Sequence, residues 1–361
     1  RLCLSQTNSQ VAVLAHTRWA SVGIISEPNA HPVNSEELEG KHDDAYLVAA
    51  LNGDVDNHAD LRVQYGLRVA GPITTDAKVI PALVSRRLST NSNLLDAFRQ
   101  TVAEFEGSVA IAAASATAPD KLLLALHGSG QGLCIGLAED RFIVASEPYG
   151  TVEETVHFVR LDGETPRKEG DPNSRGQVVR LRIDGAGTVE GITRIAYDGI
   201  EIPITDNDVA VAEVTTRDID RGDSPHFLLK EITEAPRSFR KTIRGRTVEK
   251  NDLLVPELDE FTLPSAIVEK IRSGVIKRIR IIGQGTAAVA GTSLVPVLGS
   301  LLDSSIHVEA LTATELSGFA MSTEMSDMLV IAVSQSGTTT DTNRTVDLVV
   351  SRGASVLAIV N

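Results

Sequence analysis

The segment 328–342 constrains the fold of this chain most. An unbroken apolar run, 328–333, is followed directly by small and hydroxyl-bearing residues at 334–339 and then by a helical pattern. Continuous apolar runs of this length are typical of strands buried on both faces of a parallel sheet. Because the helix would begin near Thr340, its N-terminal N–H groups would point at the loop. The segment therefore predicts an anion site that needs no metal.

The plainer interpretation of this loop is an ordinary strand-to-helix turn capped by one Ser or Thr. One cap uses one hydroxyl, whereas this loop carries several. The surplus of hydroxyl donors favours a phosphate cradle.

The same strand–turn–helix unit occurs earlier, where strand 277–282 leads into the turn 283–286. Strands alternating with helices predict a doubly wound parallel α/β sheet, in which ligands bind at the carboxyl ends of strands. Thr286 in that turn is therefore a second candidate, although a Gly-x-Gly turn also occurs wherever a helix packs closely on a strand. The further predicted elements are helix 287–302, strand 306–310, helix 312–323, helix 340–351 and strand 355–360.

The first part of the chain has a different pattern, with short alternating runs and two helical segments. It predicts antiparallel sheets stacked with helices. We expect peripheral hairpins merging into a linker over 162–225, and a helix with a solvated basic face over 230–246. The predicted strands are 11–18, 46–51, 108–115, 121–126, 132–137, 141–146, 177–183 and 189–195, and the predicted helices are 76–88 and 93–106.

Composition limits the function classes. The net charge of −14 argues against nucleic acid or an anionic membrane as partner. No apolar run of eighteen residues is present, and the first ten residues lack the apolar stretch and cleavage site of a secretory signal. Cys3 and Cys134 form neither a disulfide framework nor a metal motif. We therefore expect a cytoplasmic protein with no metal and no cofactor. The chain starts without Met and ends on an apolar strand, so we expect it to be part of a longer polypeptide, and 361 residues suggest two domains.

Three places in the first part carry candidate chemistry. Arg18, beside the single Trp19, has the planar fork that grips a carboxylate, or it is a surface arginine stacked on the indole. Asn52-Gly53 is either a hairpin turn or a pair of oxyanion donors. Asp76 is either a helix N-cap or the partner of a substrate ammonium group. The residues alone leave each pair of alternatives open.

Together, in this order, these motifs resemble the glutamine–fructose-6-phosphate aminotransferase family. Its class II glutaminase half is matched by His16-Thr17-Arg18-Trp19, Asn29-Ala30-His31-Pro32, Asn52-Gly53, Asn57-His58, Leu61-Arg62 and Thr75-Asp76. The joint between its halves is matched by Lys230-Glu231-Ile232, Pro236 and Arg244-Gly245-Arg246, and its first sugar isomerase (SIS) domain by Gly285-Thr286, Ser334-Gln335-Ser336-Gly337, Thr339, Asp341 and Thr342.

The resemblance implies an N-terminal-nucleophile (Ntn) glutaminase with α/β/β/α layers over 1–222, a joining helix over 223–250 and part of a SIS domain over 251–361. It implies a homodimer that hydrolyses L-glutamine and passes ammonia to fructose 6-phosphate, forming glucosamine 6-phosphate. By the same resemblance, Asn52 and Gly53 form the oxyanion hole. Glutamine is bound by Arg18, Trp19, Ser21 and Asp76, and the sugar phosphate by Thr286, Ser334, Gln335, Ser336 and Thr339.

Several positions depart from the family pattern. Where the family has histidine, this chain has Val22 and Leu51. Where the family has a serine and an acidic residue, this chain has Ala287 and Thr338. Neither Cys3 nor Cys134 has the context of the family's nucleophile, which is the mature first residue and uses its own amine as base. These departures leave two alternatives open: an amidotransferase with another phosphosugar acceptor, or a sugar-phosphate-binding SIS protein that does not catalyse.

Overall fold

The computed structural model describes residues 12–18, 22–38, 45–90, 93–128, 131–163, 165, 168, 171, 174, 176–212, 220–335, 337 and 339–360. By their internal contacts, the residues form two compact units, 1–220 and 221–361.

The first unit contains two antiparallel sheets. Its strands are β1 Val33–Asn34, β2 Leu47–Val55, β3 Gly107–Ser115, β4 Lys121–His127, β5 Cys134–Ala138, β6 Arg141–Ala145, β7 His157–Arg160, β8 Gln177–Arg182, β9 Ile192–Ile195 and β10 Val209–Val211. Its α-helices are α1 His58–Gln64, α2 Val79–Leu88 and α3 Leu94–Ala103. The sheet orders are β1-β2-β3-β4-β8-β9 and β10-β7-β5-β6.

Two cores stack these elements in layers. One core joins the large sheet to helices α2 and α3 through residues such as Leu83, Phe98 and Ile111. The other joins the two sheets face to face, with Leu124 against Ile135. The order helix, sheet, sheet confirms the layered α+β class predicted from the sequence. The short 3-10 helix Pro148–Gly150 and the turn after it lie beside β5, where a Cβ on Gly136 would meet the Thr151 side chain at 2.9 Å.

Most predicted strands of this unit are present, but two expectations are wrong. Residues 12–18 form no strand in the described chain, because a β-type sequence becomes a strand only where a ladder partner is available. The segment 177–183 is not a peripheral hairpin, because β8 lies inside the large sheet between β4 and β9. Val178 and Val179 of β8 are buried in different cores. The segments on either side of β8 are rich in polar residues, so the composition of the region does not reveal this burial.

The second unit is built on a parallel sheet. Its strands are β11 Thr247–Lys250, β12 Leu253–Pro256, β13 Arg278–Gly283, β14 His307–Thr312, β15 Met328–Ser334 and β16 Ser355–Val360. Its helices are α4 Phe227–Ile243, α5 Ser265–Arg272, α6 Thr286–Leu301, α7 Ala313–Phe319 and α8 Thr340–Ser351. The sheet order β14-β13-β15-β16 is parallel throughout, with an apolar core on each face. The predicted doubly wound sheet is confirmed.

Helix α4 covers most of the predicted basic helix and has no buried residue. The hairpin β11–β12 was not predicted. Within the described residues, no helix is long and apolar enough to cross a membrane, and no cluster of three His, Cys, Asp or Glu side chains has metal-binding geometry.

Candidate functional sites

The Asn52-Gly53 pair lies inside strand β2, opposite Ala110 and Val109 of β3. The hairpin interpretation is therefore wrong. Gly53 has a φ of +108°, and a Cβ at this position would lie 2.0 Å from the Ser108 carbonyl oxygen. Only glycine allows the two strands to approach this closely.

The alternation of the β2–β3 ladder determines where the Gly53 N–H points. In an antiparallel pair, every second residue turns its N–H and C=O away from the partner strand. The Leu51 N–H lies 3.4 Å from His31 Nδ1, and the Val55 N–H donates to Asp76 Oδ2 at 2.8 Å. Both face the edge that β3 does not cover. Gly53 lies midway between them, and we infer from this alternation that its N–H points to the same edge.

Asp76 is not a helix N-cap, contrary to its default interpretation. It is the first residue of the 3-10 helix Asp76–Lys78, whose N-cap is Thr75. Its carboxylate accepts from the Val55 N–H and, at 3.3 Å, from the Thr75 hydroxyl. Only 3% of Asp76 is exposed, so the charge is fixed beside the β2 edge.

One buried and one partly buried polar side chain hold the loop that carries Asp76. The Asn29 Oδ1 accepts from the backbone N–H groups of Thr74 at 2.7 Å and Thr75 at 2.9 Å. The Arg62 guanidinium donates to the Thr75 carbonyl at 2.7 Å. Burial lowers the pKa of Arg62, and the charge of Asp76 opposes that shift. Local sequence patterns gave no sign of these contacts, although both residues stand within the family motifs.

A cavity of about 230 Å³ lies at this edge, and its lining contains charges of both signs. It is lined by His16, Thr17, Arg18, His31, Leu51, Asn52, Gly53, Asp54, Asp76 and Gln131. The Arg18 guanidinium donates to the Val22 carbonyl and still lines the cavity. A cation and a carboxylate in one cavity suit the carboxylate and ammonium groups of an α-amino acid.

The two histidines of this cavity favour the neutral form. Their ring centroids are 5.1 Å apart. Burial lowers the pKa of His16, with Arg18 adding to the shift. Burial, then the charges of His16 and Arg18, lower the pKa of His31 to about 4. Two further predicted glutamine-site residues, Trp19 and Ser21, lie outside the described residues.

The predicted phosphate cradle lies at the carboxyl end of β15. Ser334 is 8% exposed, and its hydroxyl accepts from the Gly337 N–H at 3.0 Å and lies 3.4 Å from the Thr339 hydroxyl. Thr339 is the N-cap residue of α8. Gln335 is exposed, and Ser336 and Thr338 lie outside the described residues.

Gln284 links the cradle to the neighbouring strand ends. Its amide donates to the Thr314 hydroxyl at 3.2 Å and to Asp341 Oδ2 at 3.3 Å. Thr286 begins α6 two residues further on. Because β13 lies between β14 and β15, the ends of three adjacent strands meet at one edge. Gln284 and Thr314 were missed by the sequence analysis, although Gln284 stands directly after β13.

Cys134 is a buried core residue of β5. Burial raises the pKa of its thiol to about 11, which disfavours the reactive thiolate. Cys3 lies outside the described residues.

Comparison with known proteins identifies named proteins to which this chain is similar. A SIS domain family model matches residues 275–361. The glutamine–fructose-6-phosphate aminotransferase (isomerizing) of Pseudomonas aeruginosa is 30% identical over 333 residues, which cover 91% of this chain and 47% of that protein. The enzyme of the same name from Bacteroides thetaiotaomicron is 32% identical over 357 residues, covering 96% of this chain and 51% of that one.

Among solved structures, the C-terminal domain of glucosamine-fructose-6-phosphate aminotransferase from Francisella tularensis matches with 20% identity and a TM-score of 0.31, over 39% of this chain and 36% of that one. The chain spans about half the length of the curated relatives it matches. Sequence similarity to these aminotransferases extends through both units of this chain, and the SIS domain model matches 275–361 in the second unit.

Proposed function

We propose that the whole protein transfers the amide nitrogen of L-glutamine to fructose 6-phosphate and forms glucosamine 6-phosphate. The observation that carries this proposal is the edge of β2, where the N–H groups of Leu51 and Val55 turn away from β3 on either side of Gly53. A fixed donor beside Asp76 and Arg18 is the arrangement that amide hydrolysis of an α-amino acid requires.

In the first unit, glutamine is bound through the two charged groups on its α-carbon. Arg18 takes the carboxylate and Asp76 takes the ammonium group, because both line the same cavity. The Asn52 amide and the Gly53 N–H then stabilise the negative oxygen that develops when a thiolate attacks the side-chain amide. Trp19 and Ser21 complete this site in our assignment. Cys134 is not the attacking thiol, because it is buried in β5 and does not line the cavity.

In the second unit, the phosphate of the sugar is held by dipoles and hydroxyls. Helices α6 and α8 begin at the carboxyl edge of the sheet, so their N-terminal N–H groups are available to an anion. Thr286, Ser334 and Thr339 supply hydroxyl donors there, and Gln335 and Ser336 belong to the same assignment. No metal or cofactor enters this scheme.

The resemblance to the family supports three further parts of the proposal. Residues 1–222 form the glutaminase domain, 223–250 the joining segment and 251–361 part of the first SIS domain. The protein acts as a homodimer in the cytoplasm, with no nucleic acid or membrane partner.

The test is isotope transfer in the purified full-length protein, given amide-¹⁵N glutamine and fructose 6-phosphate. Mass spectrometry is expected to detect ¹⁵N-labelled glucosamine 6-phosphate. Labelled ammonia without labelled sugar would overturn the acceptor, and absence of any turnover would overturn the enzymatic function. The Asn52→Ala variant is the matched control, because it removes one oxyanion donor and is expected to lower turnover 10²-fold or more, on the order of magnitude seen for such donors.

The replacements at Val22, Leu51 and Ala287 favour a second candidate, a sugar-phosphate binder with another acceptor or without catalysis. Leu51 is 3% exposed and packs in the first core, so no imidazole is available at that position. Calorimetric titration with fructose 6-phosphate, glucosamine 6-phosphate and other hexose phosphates separates the candidates. Preference for a different sugar phosphate, with no glutamine turnover, would favour the second.

A further inference from the structure

We propose that His31 is a positioning residue of the glutamine site, fixing the distance between the oxyanion donors on β2 and the carboxylate of Asp76. The proposal rests on the proposed glutaminase function and deepens it, because His31 is assigned here without any contact to the reacting amide. His31 acts through two neighbours, Leu51 and Thr75.

The contacts form a closed chain around Gly53. His31 Nδ1 lies 3.1 Å from the Leu51 oxygen and 3.4 Å from the Leu51 nitrogen, and Nε2 lies 3.2 Å from the Thr75 hydroxyl. The chain continues from Thr75 to Asp76 and returns to β2 at the Val55 N–H. It therefore leaves β2 at residue 51 and rejoins it at residue 55, with Gly53 at the centre.

Both neutral tautomers of the ring satisfy these contacts. With the proton on Nδ1, the ring donates to the Leu51 oxygen at 3.1 Å and accepts from the Thr75 hydroxyl. With the proton on Nε2, the ring donates to the Thr75 hydroxyl and accepts from the Leu51 N–H. A doubly protonated ring would place a second positive charge beside Arg18, in a cavity whose lining also contains Asp54 and Asp76. Neutral His31 thus satisfies the chain at both ends.

Such a linkage matters because the two groups it connects bind different parts of one substrate. The β2 donors meet the reacting amide, and Asp76 meets the ammonium group. A displacement of about 1 Å between substrate-positioning groups costs on the order of 10²-fold in rate. We therefore expect loss of the linkage to lower kcat for glutamine hydrolysis more than it raises KM.

Three variants of the full-length protein test the linkage. His31→Leu keeps apolar volume and removes both hydrogen bonds, whereas His31→Gln places an amide N–H near the Nε2 position and can keep the bond to Thr75. His58→Gln is the matched control, since His58 also contacts a β2 carbonyl, that of Val55 at 2.9 Å, and has no contact with Thr75. Steady-state glutaminase kinetics and thermal unfolding are measured for each.

For His31→Leu we expect a fall in kcat of about 10²-fold, for His31→Gln a partial recovery, and for His58→Gln little change. Equal kcat values in His31→Leu and the wild type would overturn the proposal, whatever the change in melting temperature. A fall in kcat that His31→Gln does not recover at all would also overturn it, because the bond to Thr75 would then contribute nothing.

A second measurement separates this proposal from the proposed function. Selective ¹⁵N-histidine labelling with NMR reports the protonation state of His31, assigned by the signal that His31→Gln removes. We expect a neutral ring from pH 6 to 8 that responds to added glutamine. A ring that titrates near the ordinary value would overturn the inference. Absence of glutaminase activity together with the expected neutral ring would overturn the proposed function alone.

Discussion

The proposed glutamine site and the proposed phosphate cradle are built in different ways. In the first unit, the contacts that define the site join residues far apart in sequence, such as His31 to Leu51 and Asn29 to Thr75, which are 20 and 46 positions apart. In the second unit, Ser334 contacts Gly337 and Thr339, which are 3 and 5 positions away, although Gln284 also contacts Thr314 and Asp341, 30 and 57 positions away. The Ser334 loop therefore depends mainly on local structure, whereas the first site depends on the packing of distant segments.

The largest expected effect on the free energy of unfolding is that of replacing Gly53, because both its backbone conformation and its close packing against β3 require glycine. Gly53→Ala requires a left-handed φ and places a Cβ 2.0 Å from a carbonyl oxygen, so we expect destabilisation by more than about 3 kcal/mol. Gly66→Ala is the matched control, since Gly66 has a φ of +58° and no atom within 4 Å. It should cost only about 1–2 kcal/mol. Urea unfolding measures both, and equal losses would contradict the account of the β2–β3 approach.

Asn29 should show how strongly the glutamine site depends on distant contacts. Asn29→Ala removes the acceptor of two N–H groups, those of Thr74 and Thr75, and should lower the free energy of unfolding by about 2–3 kcal/mol. In the cradle, Asn343→Ala removes an exposed bond to the Gly337 carbonyl and should cost about 0.5 kcal/mol or less. Equal effects would remove the distinction between the two sites.

Ser334 should affect binding more than folding. Ser334→Ala removes a hydroxyl at the end of β15, and we expect the Kd for fructose 6-phosphate to rise roughly fivefold, equivalent to about 1 kcal/mol. Ser300→Ala, near the end of α6, removes a hydroxyl that bonds only the Val297 carbonyl and should leave Kd unchanged. Calorimetric titration with fructose 6-phosphate measures Kd for both variants. An unchanged Kd in Ser334→Ala would contradict its place in the cradle.

The last expected effect is the pH dependence that His31 gives to the free energy of unfolding. The folded protein lowers the pKa of His31 from 6.5 to about 4. Between these values the unfolded chain binds a proton that the folded chain does not, so His31 lowers stability as pH falls and has no such effect above pH 7. Urea unfolding at pH 7 and pH 5 should therefore show wild type losing stability relative to His31→Gln at the lower pH. A difference independent of pH would contradict the lowered pKa.

The same contrast explains what the sequence could predict. Helix 340–351 and strand 355–360 were predicted with the bounds found in the structure, because the apolar run, the polar loop and the helical period are local signals. In the first unit, the residues alone left Asn52-Gly53 open between a hairpin and an oxyanion site. Only the pairing of β2 with β3 excludes the hairpin, and such pairing joins residues more than fifty positions apart.

The wrong expectations have the same origin. Residues 12–18 have the composition of a strand, and strand formation depends on a partner that no local pattern specifies. Asp76 has the sequence context of an N-cap, yet its carboxylate is bonded to Val55, 21 positions earlier. The structure at these positions depends on burial and on the pairing of distant segments, and local sequence propensity carries no information about either.

The central claim is that two separate sites bind two different ligands. The most direct measurement is calorimetric titration of glutamine and of fructose 6-phosphate into the full-length wild type and into the variants Asp76→Asn and Ser334→Ala. We predict that Asp76→Asn weakens only glutamine binding and that Ser334→Ala weakens only sugar-phosphate binding. Loss of both ligands in either variant, or no binding of either ligand to the wild type, would contradict the account.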